Sequence, residues 1–528
     1  MVIEKLLNEE RQNGKNAIPI SEALAKTGFG IFNYVLIILG GLLMTCTYYE
    51  TALASFILPA AGCDLELTNQ EKGILSAIGY IGIIVSSHLW GFLADTKGRR
   101  YVILPAVLIS STISVLSSFS NTFWLLVLLR FLNGFFVSGS SATVFAYVGE
   151  FHTGHSRTRA VMASASVLSI GCILLPVLAW AIVNQSWSFP MALLGVVYKP
   201  WRLFIVACAC PGVLCAIIIM FYPESPKFLM SIGKNEEALE VLRKMHKWNK
   251  GSGDFQIREV ISDEDTSLAN ANKASNKSSS FLATFFRTMW RQTAPLFQRG
   301  LLLSTVLSCT IQFWIYVTLH GMFMWFPYTI HSMVEFRKNN PGNSSSVCDV
   351  IYAKQFQLES ELQNVDDVKD CNEKFENQTF VFTIMMEFFY GMGFVIIGFL
   401  VHRAKKTHIL FFVLFVFGSC GIWIHFIYNT TVALIVYQML FLAGVGIQVM
   451  SEITVDLYPT NLRGMALCIS LMFGRLGGVF GANFVAWLLA TNCEMTFNIA
   501  GAGLMISGLL TFFIPKVKPF EKNAINDA

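Results

Sequence analysis

Runs of about twenty mostly apolar residues, separated by short charged or turn-forming stretches, recur along the whole 528-residue chain. A bilayer core of about 30 Å needs roughly that length of helix. Twelve runs qualify: 31–58, 72–93, 101–120, 122–147, 160–183, 201–221, 301–328, 379–401, 408–427, 431–452, 464–490 and 496–515. The pattern predicts an all-α membrane protein of twelve transmembrane helices, six in a bundle over 31–222 and six in a second over 300–515. A polar segment, 1–30, precedes the first bundle, and a tail, 516–528, follows the second. In the connection, 223–299, Ala238, Leu239, Leu242 and Met245 fall on one side, with Glu236, Glu240 and Lys244 elsewhere. That spacing predicts an amphipathic helix lying against the bundle. The stretch 251–280, rich in Ser, Asn and Lys, reads as a flexible linker.

Composition agrees: 54% of residues are hydrophobic and 14% charged, where a soluble chain carries about 25% charge. A net charge of +4 without a basic, aromatic-interleaved stripe gives no reason to expect nucleic acid as a partner. The twelve cysteines are scattered, most of them in apolar runs, so no metal set and no cofactor is expected. Charge placement orients the chain. Lys97, Arg99 and Arg100 follow the second run, Arg157 and Arg159 the fourth, Arg403, Lys405 and Lys406 the eighth, and Lys516 and Lys518 the twelfth. All lie on one face, which the positive-inside rule makes cytoplasmic, together with both termini. On the other face, segment 332–378 has nine acidic residues against five basic and is expected outside or in a lumen. There Asn343 and Asn377 open N-glycosylation sequons, Asn343 being the better placed, and Cys348 and Cys371 form a candidate disulfide.

The two bundles repeat one another. Glu150, Arg157 and Ala160 recur as Asp456, Arg463 and Ala466, offset by 306, and Gly91-Phe92-Leu93 recurs as Gly398-Phe399-Leu400, offset by 307. Two near-equal offsets point to duplicated halves around a central site. The run from Gly91 to Arg100, GFLADTKGRR, resembles the signature between the second and third helices of the major facilitator superfamily, and Pro223-Glu224-Ser225-Pro226-Lys227 resembles a motif of its sugar and organic-ion branches. More narrowly, Ala179-Trp180-Ala181-Ile182, Trp187-Ser188-Phe189, Trp201-Arg202 and Leu457-Tyr458-Pro459 are similar to the synaptic vesicle glycoprotein 2 family, in an invertebrate form. The departures are a shorter amino-terminal region, a shorter loop after the seventh helix, and Thr47, Ile447 and Ser451 where those proteins carry Asp, Trp and Asp.

The resemblance implies that Asp95 and Arg99 gate the cytoplasmic mouth, with Glu150, Arg157, Glu224, Asp456 and Arg463 forming ion pairs between the halves there; the bland reading is a positive-inside loop. It also implies that Trp180 belongs to a ligand pocket, to which Trp314, Tyr316 and Trp325 could add aromatic walls. From the residues themselves, Glu50 stands alone as a carboxylate in the first apolar run, where it needs a cavity, a partner or a proton. It is the leading candidate for cation binding or proton coupling. Arg130 and Arg475, also in apolar runs, either bind an anionic group or pair with Glu50; the alternatives are a protonated or hydrogen-bonded packing residue for Glu50, and a structural ion pair or snorkelling side chain for each arginine. Glu387 and His320 are weaker candidates that match no motif. Gly474, Gly477, Gly478 and Gly481 make two small-residue pairs for close helix contact.

No enzyme motif and no ATPase module is present. The expected function is secondary transport of a small polar or charged organic solute, an organic cation, carboxylate or sugar, by facilitated diffusion or proton-coupled exchange. The expected form is a monomer in the lipid bilayer of the cell surface or of a vesicle. The alternative is a receptor or trafficking regulator that keeps the transporter fold with little flux.

Overall fold

The computed structural model describes residues 17–191, 195–251, 293–340, 345–354, 376–401, 403–458 and 462–515, with isolated positions between 255 and 291. Asn343, Cys371 and the carboxy-terminal tail lie outside the described residues.

Among the described residues, twelve helices are long and apolar enough to cross a membrane. We number them α1 Ile31–Asp64, α2 Asn69–Lys97, α3 Arg99–Ser117, α4 Phe123–Glu150, α5 Gly154–Val183, α6 Pro200–Phe221, α7 Leu302–Gly321, α8 Asn377–Leu400, α9 Lys406–Phe426, α10 Thr430–Leu457, α11 Arg463–Thr491 and α12 Cys493–Phe513. Two differ from the sequence reading. The first runs on to Asp64, past Pro59, and the seventh stops at Gly321, with Phe326–Asn339 forming a separate helix.

Local chemistry sets the boundaries. Thr68 caps α2 by accepting from the Glu71 amide, while Glu71 reaches back to the Thr68 amide. Gly98, at φ +114°, turns α2 sharply into α3. A side chain there would strike the Glu224 carboxylate. That carboxylate accepts from the backbone N–H groups of Arg99 and Arg100 at 3.0 and 3.1 Å, an anion on a helix amino terminus. At the end of α6, Arg100 and Lys244 donate to the carbonyls of Met220 and Phe221 in its last turn, and Arg100 also to that of Ile219, which accepts from the Tyr222 amide as well.

Packing follows the duplication. Within the first half α2 and α3 pack on α4, α1 on α5 and α6; within the second α9 packs on α12, and α7 on α11. The glycine pairs of α11 do what their spacing suggests: a Cβ on Gly481 would meet the Val317 carbonyl at 2.7 Å. The halves touch chiefly through α2 against α11 and α5 against α8.

The connection between halves holds a surprise. The helix Asn235–Lys250 buries Ala238, Leu239, Leu242 and Met245 as its periodicity suggests. Yet Glu259–Ile261, inside the expected linker, forms a strand paired in parallel with Ala17–Pro19 of the amino-terminal segment, and Ile20–Lys26 continues as a helix. Asn249 ties this layer down by donating to the Gly28 carbonyl at 3.0 Å and to Asn33 at 2.8 Å. Asn33 in turn meets buried His152 at 3.0 Å.

One expectation is corrected. Cys348 is bonded to Cys493, not to Cys371. The helical stretch 347–354 is laid over the turn between α11 and α12, where the Cys493 amide also donates to the Tyr352 hydroxyl at 2.7 Å. Cys63, at the end of α1, is disulfide-bonded as well.

Candidate functional site

α1 carries polar groups on two faces. On one, Glu50 accepts from Arg130 of α4 at 3.0 Å and from Ser114 of α3 at 2.8 Å, and Arg130 donates onward to Ser117 at 2.6 Å. Both charged side chains are about 95% enclosed, at 5% and 4% exposure. Of the two alternatives for Arg130, pairing with Glu50 is the one observed. This cluster lies wholly within the first half, between α1, α3 and α4.

On the other face, Tyr48 reaches across to the second half and donates to Glu387 of α8 at 2.6 Å. Glu387 is only 3% exposed, and Tyr48 is its one hydrogen-bond partner among the described residues. A second bridge joins the halves beside it: Tyr80 of α2 and His320 of α7 share a hydrogen bond of 3.0 Å. The π-helical turn Val317–Gly321 sets His320 against the Tyr316 ring, 4.7 Å between centroids. Arg475 of α11 lies close enough to act electrostatically on Tyr316 and His320.

Trp180 of α5 belongs to the same seam, at the end away from the basic loops. Its indole donates to Asn377 of α8 at 3.1 Å and it stacks on Phe380 at 6.3 Å. Asn377 is thus an exposed inter-half contact as well as a sequon residue. Of the aromatic candidates, Tyr316 joins the seam, whereas Trp314 packs on Gly503 of α12 and Trp325 donates to the Ala482 carbonyl. Gln312 of α7 donates to Ser451 of α10 at 3.3 Å, and its buried carbonyl oxygen has no partner among the described residues.

The basic end differs from expectation. Arg99 pairs with Asp95 at 3.2 Å and with Glu150 at 3.0 Å, Glu224 caps α3, and Lys406 holds Asp456 at 2.8 Å. Arg463 donates to the Tyr458 carbonyl of its own half. Arg157, by the Gly149 backbone, has no ion-pair partner among the described residues. In this state the pairs present among the described residues lie within each half, and the expected pairs between halves are not formed. Among the described residues, every ion pair at this end is internal to one half.

The sequence thus ranked the acids by their isolation and not by what faces them. Glu387 and His320, lacking any motif, bridge the halves, while Glu50 is sealed within one. Tyr48 and Tyr80 went unnoticed because nothing in one chain reports which residue lies opposite a helix face.

Two six-helix bundles joined by one connection, touching through α2–α11 and α5–α8, define a major facilitator transporter, the architecture of secondary transport of small solutes. Residues 25–348 match the sugar (and other) transporter family. The chain belongs to that family, whose members are transporters and not enzymes. Over 229 residues it is 34% identical to synaptic vesicle glycoprotein 2C of Rattus norvegicus, covering 43% of this chain and 31% of that protein. The chain thus spans about a third of that relative's length. Synaptic vesicle glycoprotein 2B of Mus musculus aligns over 612 residues at 24% identity, covering 98% of this chain and 88% of the relative. Among solved structures, the inward open xylose transporter XylE from E. coli superposes with a TM-score of 0.62 at 17% identity, over 92% of this chain and 96% of that one. A bacterial homologue of the human lysosomal transporter Spinster, inward-facing and unoccupied, gives 0.59 at 12% identity, over 92% and 98%. These likenesses show the fold.

Proposed function

We propose that the protein is a secondary transporter of a small organic cation, held at Glu387 between the two halves and coupled to a proton at the Glu50–Arg130 pair. The observation that carries the reading is the Tyr48–Glu387 bond. A carboxylate enclosed at the meeting of two bundles, with one hydroxyl for company, calls for a cation or a proton. The ring of Tyr48 beside it, with that of Tyr390 three residues along α8, suits an ammonium group. Glu50 supplies the coupling site because its ion pair with Arg130 can be discharged by one proton, and because α1 carries Tyr48 just two residues away. The ion pairs kept within each half at the basic end support a state open on that side, which positive-inside orientation makes the cytoplasm.

The test is uptake by cells of three labelled probes, tetraethylammonium, succinate and xylose, with wild type and Glu387→Gln at equal surface amounts. The reading expects tetraethylammonium alone to accumulate, and the variant to lose at least about tenfold, the scale of a 1.4 kcal/mol loss. Xylose or succinate uptake, or tetraethylammonium uptake indifferent to the variant, overturns it.

A further inference from the structure

Between α5 and α6 the chain makes a small antiparallel hairpin, Phe189–Met191 against Val196–Tyr198, with Phe189 facing Tyr198 and Pro190 facing Val197. From 185 to 198 the sequence contains no charged residue. Both faces are apolar and expose side chains: Phe189 is 61% exposed on one, which is covered only at Val196, and Val197 45% on the other. A two-stranded hairpin with no core of its own is marginal in water, and apolar side chains on both sides make it worse.

Its root, in contrast, is held by charge. Asp64, at the end of α1, accepts from Lys199 at 2.5 Å, from the Trp201 indole at 3.3 Å and from Arg202 at 3.4 Å. Arg202 also donates to the Ser118 and Ser120 carbonyls just past α3. Lengths fix the depth of this root. α6 has 22 residues and α3 has 19, so at about 1.5 Å per residue they measure roughly 33 and 28 Å, close to the hydrocarbon thickness. Both therefore begin or end at the membrane boundary, and the hairpin leaves α6 there. Trp187 stacks with Tyr198 at 6.4 Å, and Phe119 packs on Tyr198 at 5.5 Å. Those rings form the kind of aromatic band found at headgroup depth. The exposed Leu203 of α6 and Val177 of α5 continue the apolar surface toward the bilayer.

We infer that this hairpin is a membrane-interface anchor, lying in the headgroup and upper acyl region of the leaflet away from the basic loops, with phospholipid as its partner. It belongs to the first half alone and so fixes the depth of that half. A photoreactive benzoylphenylalanine placed at 189 or at 197, on opposite faces of the hairpin, tests this in the full-length protein in phosphatidylcholine nanodiscs. The same group at Glu66, in the exposed turn between α1 and α2, serves as the aqueous reference. After irradiation, intact mass is expected to show phospholipid adducts at both hairpin positions, at least tenfold above Glu66. If one position fails to fold, the other still decides. Adducts no more frequent than at Glu66, or a crosslinked second copy in their place, overturn the inference.

Discussion

Tyr48 and Glu50 sit two positions apart on α1, about 200° around the helix, and this is why one faces the other half while its neighbour faces α3 and α4. A shift of α1 is therefore felt at both. With Glu50→Gln the cluster keeps its hydrogen bonds but has no proton to exchange. Uptake by the variant is expected to vary by less than about twofold between about pH 5.5 and 8, where wild type varies more. Equal pH profiles for the two would move the coupling site elsewhere. Arg130→Met has a different consequence, since it strands a carboxylate away from water at a cost of about 3–5 kcal/mol. Folded yield and melting temperature should fall unless the medium is acidic enough to protonate Glu50; an unchanged melting temperature at pH 7.5 would contradict the pairing as a stabilising unit.

The elements at the basic end behave as one latch. His152 sits between α4 and α5, buried, with Nδ1 on the Val148 carbonyl at 2.8 Å and Nε2 facing the Asn33 amide. Burial holds its imidazole below the usual histidine range. A group whose folded value is depressed in this way costs nothing while neutral in both states. Below about pH 6.5 the unfolded chain takes up a proton that the folded one resists, so stability falls. The protonated ring also turns a second donor toward Asn33. Hydrogen exchange in Asn235–Lys250 is thus expected to speed up between pH 7.5 and about 5.5 in wild type, beyond the intrinsic pH effect, and not in His152→Gln, whose amide can satisfy both neighbours. The same acceleration in both proteins would rule out His152 as the cause. Little of this latch was legible in the sequence. The amphipathic helix was, because one face of Asn235–Lys250 is apolar, and so were the twelve spans, because hydropathy alone decides what crosses a bilayer. The strands Ala17–Pro19 and Glu259–Ile261 were not: each is three residues with no alternation to read, and they meet from opposite ends of the first half. The Cys348–Cys493 bond was missed for a similar reason, since proximity in sequence favoured Cys371.

At the scale of the whole molecule, the duplicated sequence foretold two matched halves, and the family resemblance implied that charges at the basic end pair across the seam. In this state, among the described residues, they pair within each half, as charges whose cross-seam pairs break when the basic end opens would do. Glu150 and Asp456 each find a cation of their own half, Arg99 and Lys406. Besides the packing of α2 on α11 and α5 on α8, the side-chain hydrogen bonds that join the halves among the described residues are uncharged or singly charged: Trp180 and Asn184 with Asn377, Tyr80 with His320, and Tyr48 with Glu387. Such contacts are cheap to break, which suits bundles that must part on one side as they close on the other. Of these, Tyr48–Glu387 joins the candidate binding group to the seam itself. The most direct measurement is counterflow in proteoliposomes: purified protein preloaded with unlabelled tetraethylammonium, labelled tetraethylammonium outside, wild type against Glu387→Gln. The account predicts transient accumulation of label with wild type and none above protein-free liposomes with the variant. Wild-type vesicles that accumulate nothing, or a variant that matches wild type, would contradict it, the first outcome pointing to a receptor or trafficking regulator built on a transporter fold.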